Sequence, residues 1–172
     1  ITKKTENINK REKNRNLEKE TEIDSINRLK IFYTNADCLT NKRSELLMII
    51  QKSERKSDVI AIVEVKPKYS RYSVTSSEFN IEGYTLFTNN LEERTTRGII
   101  VLVRRDIDVK QIEIRGEEQE VVTIEIDSGT KENKVTIMVN YRSPSSTKEN
   151  DEALYKLIDD VSEKGGLSTD GR

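Results

Sequence analysis

The stretch LKIFYTNADCLTNKRSELLMIIQKSERKSDVIAIVEV, residues 29–65, decides the fold. It begins with a strand pattern over Leu29–Tyr33 and continues with apolar residues at helical spacing between Asn41 and Ser53. It closes with Asp58–Val63, a short continuous apolar run that is typical of a strand buried on both faces. This strand–helix–strand order predicts a crossover unit of α/β type.

Further strands are predicted C-terminal to this unit, after a polar loop over residues 66–80. They lie at Tyr84–Thr88, Gly98–Val103, Val109–Ile114, Val121–Ile126 and Val135–Tyr141. Residues 127–130 have the composition of a turn between the last two strands. Residues 146–149 form a capping-box sequence and predict the start of a helix. One face of that helix carries Ala153, Leu154, Leu157, Ile158 and Val161.

The two ends of the chain differ in composition from residues 28–162, which we interpret as one domain. Residues 1–27 are charged and nearly free of large apolar side chains, so we expect them to be disordered or to form a solvated, fraying helix. A basic nucleic-acid-binding arm is the alternative, and the interleaved acidic residues disfavour it. Residues 163–172 show no periodicity.

The composition excludes several kinds of chemistry. The chain of 172 residues has no histidine, so it cannot by itself form a Ser-His or Cys-His pair or a His-ligated zinc site. Its single cysteine, Cys38, excludes an internal disulfide and fits an intracellular compartment, cytoplasmic or nuclear. We expect no membrane span and no small-molecule cofactor. The formal charge of -1 argues neither for nor against nucleic acid.

Polar side chains follow three predicted strands at the point where each strand ends: Asn35 with Asp37, Glu64, and Tyr141 with Arg142. Sites in α/β sheets gather outside the carboxyl ends of strands. A carboxylate directly after an apolar strand is costly unless it is paired or binds a metal ion. Oxygen ligands without histidine suit Mg²⁺ rather than zinc.

Each of these residues also has an ordinary structural interpretation. Asn35 fits a turn, and Asp37 fits a turn or a helix cap. Glu64 fits a solvated strand end, and Tyr141 fits an aromatic residue at the rim of a sheet. Spacing alone therefore leaves the function open.

Five stretches together resemble the endonuclease domain of non-LTR retrotransposons, which belongs to the endonuclease/exonuclease/phosphatase superfamily. The resemblance covers about residues 29–161. The matching stretches are LKIFYTNADCLTNK (29–42), DVIAIVEV (58–65), IEGYTLF (81–87), RGI (97–99) and VNYRSPSS (139–146).

The resemblance implies a two-sheet, four-layer α/β sandwich with mixed sheets and flanking helices. It also implies Mg²⁺-dependent (or Mn²⁺-dependent) phosphodiester hydrolysis that nicks DNA to prime reverse transcription. By position, Asn35 would contact the scissile phosphate and the metal shell, with Asp37 beside it. Glu64 would bind Mg²⁺, Tyr141 would bind the phosphate, and Arg142 would lie near the DNA backbone.

The sequence departs from this family in its last part. The family's GDFN strand and its SDH element, which supply an Asp-Asn pair and an Asp-His pair, are missing, and Val63 and Val65 replace threonines that usually flank the glutamate. We therefore expect a truncated or degenerate copy that does not turn over. The alternatives are a non-catalytic fragment that binds nucleic acid or a partner, and a phosphoesterase for another substrate. The YRSP element disfavours the last of these.

Two structural expectations follow. Asn35, Glu64 and Tyr141 should meet at one edge of a sheet. If the sandwich is truncated, strands such as Ile60–Val63 and Ile99–Val103 should face water on part of one side and promote self-association.

Overall fold

A computed structural model describes residues 29–69, 74–93, 95–113, 120–127 and 134–166. The expectation of disorder for residues 1–27 lies outside these ranges. So do residues 128–130 of the predicted turn and residues 167–172 of the expected tail. Among the described residues, no helix combines the length and the apolar character that crossing a membrane requires.

Every predicted helix and strand is present, with shifted ends. The elements are β1 (Ile31–Asn35), α1 (Arg43–Lys52), β2 (Val59–Val63), β3 (Tyr84–Asn89), β4 (Ile99–Arg104), β5 (Val109–Gln111), β6 (Glu120–Asp127), β7 (Lys134–Tyr141) and α2 (Lys148–Gly166). Short 3₁₀ turns lie at Leu39–Asn41 and Ser76–Phe79. The helix predicted to fade near Val161 continues to Gly166, because the intervening Ser162, Glu163 and Lys164 are compatible with a helix.

The strands form two sheets, one mixed and one antiparallel. The first has the order β1-β2-β4-β3, in which β1 and β2 are parallel and joined through α1, while the other pairs are antiparallel. The second is antiparallel, with the order β5-β6-β7. Strands β6 and β7 contact strands of the first sheet, so the two sheets face each other. The mixed α/β class predicted from the sequence is confirmed.

The centre of the first sheet is buried on both faces. On one face, Ile60, Ile62, Ile100 and Leu102 pack in a cluster that includes Leu46 of α1. Alternate residues of β2 and β4 point to the opposite face, toward the second sheet. That sheet contributes its own buried side chains, Val122, Ile124, Ile126 and Val139. The uninterrupted apolar runs of these strands follow from this two-sided burial.

The expectation that Ile60–Val63 and Ile99–Val103 face water is wrong. Every residue of both stretches is at most 2% exposed. Strands β6 and β7 cover the face that a truncated sandwich was expected to leave open. The exposed sheet face on which the expected self-association rested is therefore absent from the described residues. The large apolar residues that remain exposed on this sheet are Ile31 and Tyr33 of the edge strand β1, at 48% and 60%.

Residues 66–80 were expected to form a polar loop, and the described part is more deeply buried than that. Val74 and Phe79 join the core, and Lys66 is only 1% exposed. The Lys66 ammonium donates to the carbonyl oxygens of Glu93 and Thr96, the latter at 2.7 Å. Burial lowers the pKa of Lys66, and these carbonyl partners explain how a charged group is tolerated there.

Candidate active site

The parallel pairing of β1 and β2 brings their carboxyl ends to the same edge of the first sheet. Asn35 is the last residue of β1, and Glu64 directly follows β2. The pairing continues past both strands, since the Ala36 N–H donates to the Val63 carbonyl at 3.0 Å and the Cys38 N–H donates to the Glu64 carbonyl at 2.9 Å. The backbone therefore fixes Asn35 and Glu64 as neighbours.

The side-chain amide of Asn35 is held at both ends. Its Nδ2 donates to Glu64 Oε1 at 2.7 Å, and its Oδ1 accepts from the Asp37 N–H at 3.0 Å. The second bond is the local turn that Asn forms readily, while the first joins two strands. Asn35 therefore forms a turn, as its ordinary structural interpretation predicts, and it also lies beside Glu64, as the predicted site requires.

Three residues at this edge have left-handed backbone conformations: Asp37 (φ 41°), Cys38 (φ 78°) and Glu64 (φ 55°). For residues with a Cβ this conformation costs about 1–2 kcal/mol each. Strained residues of this kind cluster at functional sites, where the surrounding structure holds them in place. The backbone bond accepted by the Glu64 carbonyl, together with those of its side chain, provides that support.

Tyr141 lies at the end of β7 in the second sheet and approaches the same edge. Burial raises the pKa of the Tyr141 phenol, the negative charge of Glu64 raises it further, and the positive charge of Arg97 opposes both. The expectation that Asn35, Glu64 and Tyr141 meet is therefore confirmed. Their catalytic, phosphate-binding and metal-binding roles stay predictions.

Arg97 completes the group, and in the sequence it stands out only as the beginning of a strand motif. Its Nη2 donates to Asp37 Oδ1 at 2.6 Å and to Glu64 Oε2. The Arg97 and Glu64 side chains are only 18% and 16% exposed, whereas Asp37 is 78% exposed. We call Asn35, Asp37, Glu64, Arg97 and Tyr141 the strand-end cluster.

The charge of Arg97 is stabilised by its neighbours. Burial lowers the pKa of the guanidinium, but the hydrogen bond to Asp37 and the charges of Glu64 and Asp37 raise it, and the net pKa lies above the usual value. One signal in the sequence was a cation directly before the apolar strand β4. Its partners lie 33 and 60 positions away, beyond the reach of any local pattern.

Glu120 of β6 anchors the backbone that carries Arg97. Its carboxylate accepts from the Arg97 N–H at 3.0 Å and from the Gly98 N–H at 2.7 Å. Gly98 has φ 72°, and a Cβ at this position would lie 2.8 Å from a side-chain carbon of Leu91. Glycine is therefore favoured here, and the second sheet holds the start of β4 in place through Glu120.

Replacing Glu120 with alanine should lower the free energy of unfolding by about 1–3 kcal/mol, because the two amides lose their acceptor in a partly buried setting. Urea denaturation followed by circular dichroism measures this change. Glu152→Ala is the control, since Glu152 is 66% exposed and forms a surface ion pair with Lys148 at 3.5 Å. That variant should change stability by about 0.5 kcal/mol or less. Equal losses in both variants would contradict the anchoring role.

Arg142 does not join the strand-end cluster. Its Nε and Nη2 both donate to the carboxylate of Asp151 in the first turn of α2, each at 2.7 Å. This hydrogen bond lowers the pKa of Asp151. Arg142 also lines a cleft of about 230 Å³ beside Tyr141, with Lys68 and Ser143. To contact the DNA backbone as predicted, Arg142 would have to use a guanidinium that is already bound to the Asp151 carboxylate.

The described residues do not fit the Mg²⁺ site that the resemblance implies. None of them form a group of three or more carboxylate, cysteine or histidine side chains able to hold a metal ion. Glu64 and Asp37 are two carboxylates of suitable type, but both bind the guanidinium of Arg97. A metal ion would have to compete with that group for the same oxygens.

The fold, with its two facing sheets, resembles that of an AP endonuclease. The solved structure in question is AP endonuclease LMAP from Leishmania major, with a TM-score of 0.62 and 12% sequence identity. The similarity covers 83% of this chain and 50% of the other, so the chain spans half the length of that protein. At this identity the similarity shows the fold alone. No protein-family model matches the sequence, and no curated protein matches it.

Proposed function

We propose that this chain is the N-terminal half of a DNA endonuclease domain of the non-LTR retrotransposon type, an intracellular protein whose partner is DNA. The observation that carries the proposal is the meeting of Asn35, Glu64 and Tyr141 at one sheet edge, in a fold that resembles an AP endonuclease. These three residues come from separate parts of the sequence, and each stands in a stretch that resembles the same family.

The proposed chemistry is recognition and cleavage of a phosphodiester. The phenol of Tyr141 and the amide of Asn35 are neutral donors suited to a phosphate oxygen. Donors held rigidly in this way stabilise the charge that develops on the phosphoryl group in the transition state. The proposal assigns Mg²⁺ dependence to a complete domain and none to this chain, because its two nearby carboxylates are paired with Arg97.

We also propose that this chain by itself does not catalyse phosphodiester hydrolysis. It contains no histidine to align the attacking water, and its sequence lacks the GDFN strand. Loss of one preorganised electrostatic group costs on the order of 10²–10³ in rate, and here several are missing together.

Supercoiled plasmid incubated with the pure chain and Mg²⁺ should therefore remain supercoiled, as judged by agarose electrophoresis. Glu64→Ala is the matched control for contaminating nucleases. Nicking by the wild-type chain that disappears in Glu64→Ala would refute the proposed inactivity and would support cleavage at the strand-end cluster. Nicking at the same rate in both would identify a contaminant, and the repurified chain should then leave the plasmid intact.

A further inference from the structure

The guanidinium of Arg97 lies where the strand-end cluster would otherwise hold a metal ion. It is in contact with the carboxylates of both Glu64 and Asp37, and it comes from the loop before β4, whereas those two residues follow β2 and β1. Three separate segments thus converge on one positive charge. Both carboxylate oxygens of Glu64 have a donor, since Oε1 accepts from Asn35 and Oε2 from Arg97.

The placement of Arg97 is built into the fold. The Arg97 side chain is 18% exposed, its backbone N–H donates to Glu120 of the second sheet, and Gly98 beside it adopts a left-handed conformation that favours glycine. Arg97 Nε is buried and lacks a hydrogen-bond partner among the described residues. The structure therefore leaves one buried donor unsatisfied, at a cost in free energy, while it directs Nη2 at the two carboxylates.

We propose that Arg97 is the resident cation of this site and that it excludes divalent metal ions from Glu64 and Asp37. The inference deepens the proposed function, on which it rests in taking the strand-end cluster as the site. It concerns which cation the site holds and does not depend on cleavage.

The physical reason is competition for the same oxygens. A divalent ion at Glu64 and Asp37 would need the lone pairs that now accept from Arg97. It would also bring two further positive charges beside a partly buried guanidinium. Mg²⁺ and Mn²⁺ at protein sites depend on carboxylate charge that is not already neutralised. Removing the guanidinium should therefore turn a weak metal site into a stronger one. Close charge pairs are coupled strongly enough for a change of about tenfold or more in affinity.

The experiment measures Mn²⁺ binding to the full chain without DNA, from the loss of the free-ion signal in electron paramagnetic resonance. Arg97→Met should bind Mn²⁺ about tenfold or more tightly than the wild-type chain. The added substitution Glu64→Gln should abolish that gain. Arg43→Met is the matched control, because Arg43 is an exposed arginine that donates to the carbonyls of Glu78 and Asn80 and should leave Mn²⁺ affinity unchanged.

Arg97→Gln provides a second variant without the charge, and circular dichroism identifies which of the two is folded. Equal Mn²⁺ affinity in the wild-type chain and in a folded variant overturns the proposal. Stoichiometric Mn²⁺ binding by the wild-type chain that Glu64→Gln removes also overturns it, whichever Arg97 variants fold. Neither readout uses DNA, so the two tests can fail independently. The plasmid assay can contradict the proposed function while the Mn²⁺ measurement supports this inference, and the Mn²⁺ measurement can contradict this inference while the plasmid assay supports the proposed function.

Discussion

Replacing Ile62 with alanine is expected to lower the free energy of unfolding by about 2–5 kcal/mol. Ile62 is fully buried in β2, between β1 and β4 of the first sheet, and it packs in the cluster that includes Leu46 of α1. The loss combines the transfer free energy of the removed carbons with the cost of the cavity that they leave. Urea denaturation followed by circular dichroism measures it.

Ile31→Ala is the matched control for this substitution. Ile31 is also an isoleucine in the first sheet, but it lies on the edge strand and is 48% exposed. Its loss should be about 0.5 kcal/mol or less, as for most surface positions. If both variants lost the same stability, the two-sided burial of β2 would be wrong, and the expectation of an open sheet face would return.

Replacing Asp58 with alanine is expected to cost about 3 kcal/mol, the lower end of the range for breaking a buried ion pair. The Asp58 side chain is only 3% exposed and accepts from Arg104 Nη1 at 2.6 Å and from Arg55 Nη2 at 3.1 Å. Arg104 and Arg55 are 33% and 51% exposed, so water can reach both guanidinium groups once the carboxylate is gone. This places the loss at the lower end.

Asp106→Ala separates burial from the presence of an ion pair. Asp106 pairs with the same arginine, Arg104, at 2.5 Å, but it is 65% exposed. The hydrogen bond from Arg104 lowers the pKa of Asp106, yet an exposed pair of this kind contributes at most about 1 kcal/mol. A larger loss for Asp106→Ala than for Asp58→Ala, in the same denaturation experiment, would contradict this assignment.

Hydrophobic periodicity was sufficient to predict the elements, because it reports burial within one segment. The continuous run of β2 and the helical spacing of α1 both reflect contacts made by several adjacent residues at once. The strand-end position of Glu64 was also sufficient to place it beside Asn35, since parallel strands connected by a helix end at the same edge.

The polar partners could not be predicted in this way. Arg97, Glu120 and Lys66 act through hydrogen bonds to groups far along the chain, and one isolated polar residue carries no periodic signal. The burial of β4 was mispredicted for a related reason. The second sheet covers one face of β4, and no sequence pattern within β4 indicates how many strands pack against that face.

The distances along the chain within the strand-end cluster bear on when the site comes into existence. Asn35 and Glu64 bond across 29 positions, and Arg97 and Asp37 across 60. Contacts of such separation must first overcome loop-closure entropy, and proteins rich in them fold slowly. Before β1 has paired with β2 and β7 has docked, the members of the cluster are separate polar side chains in water. The strand-end cluster is thus assembled only once these distant segments have come together, and no short peptide cut from this chain can carry it.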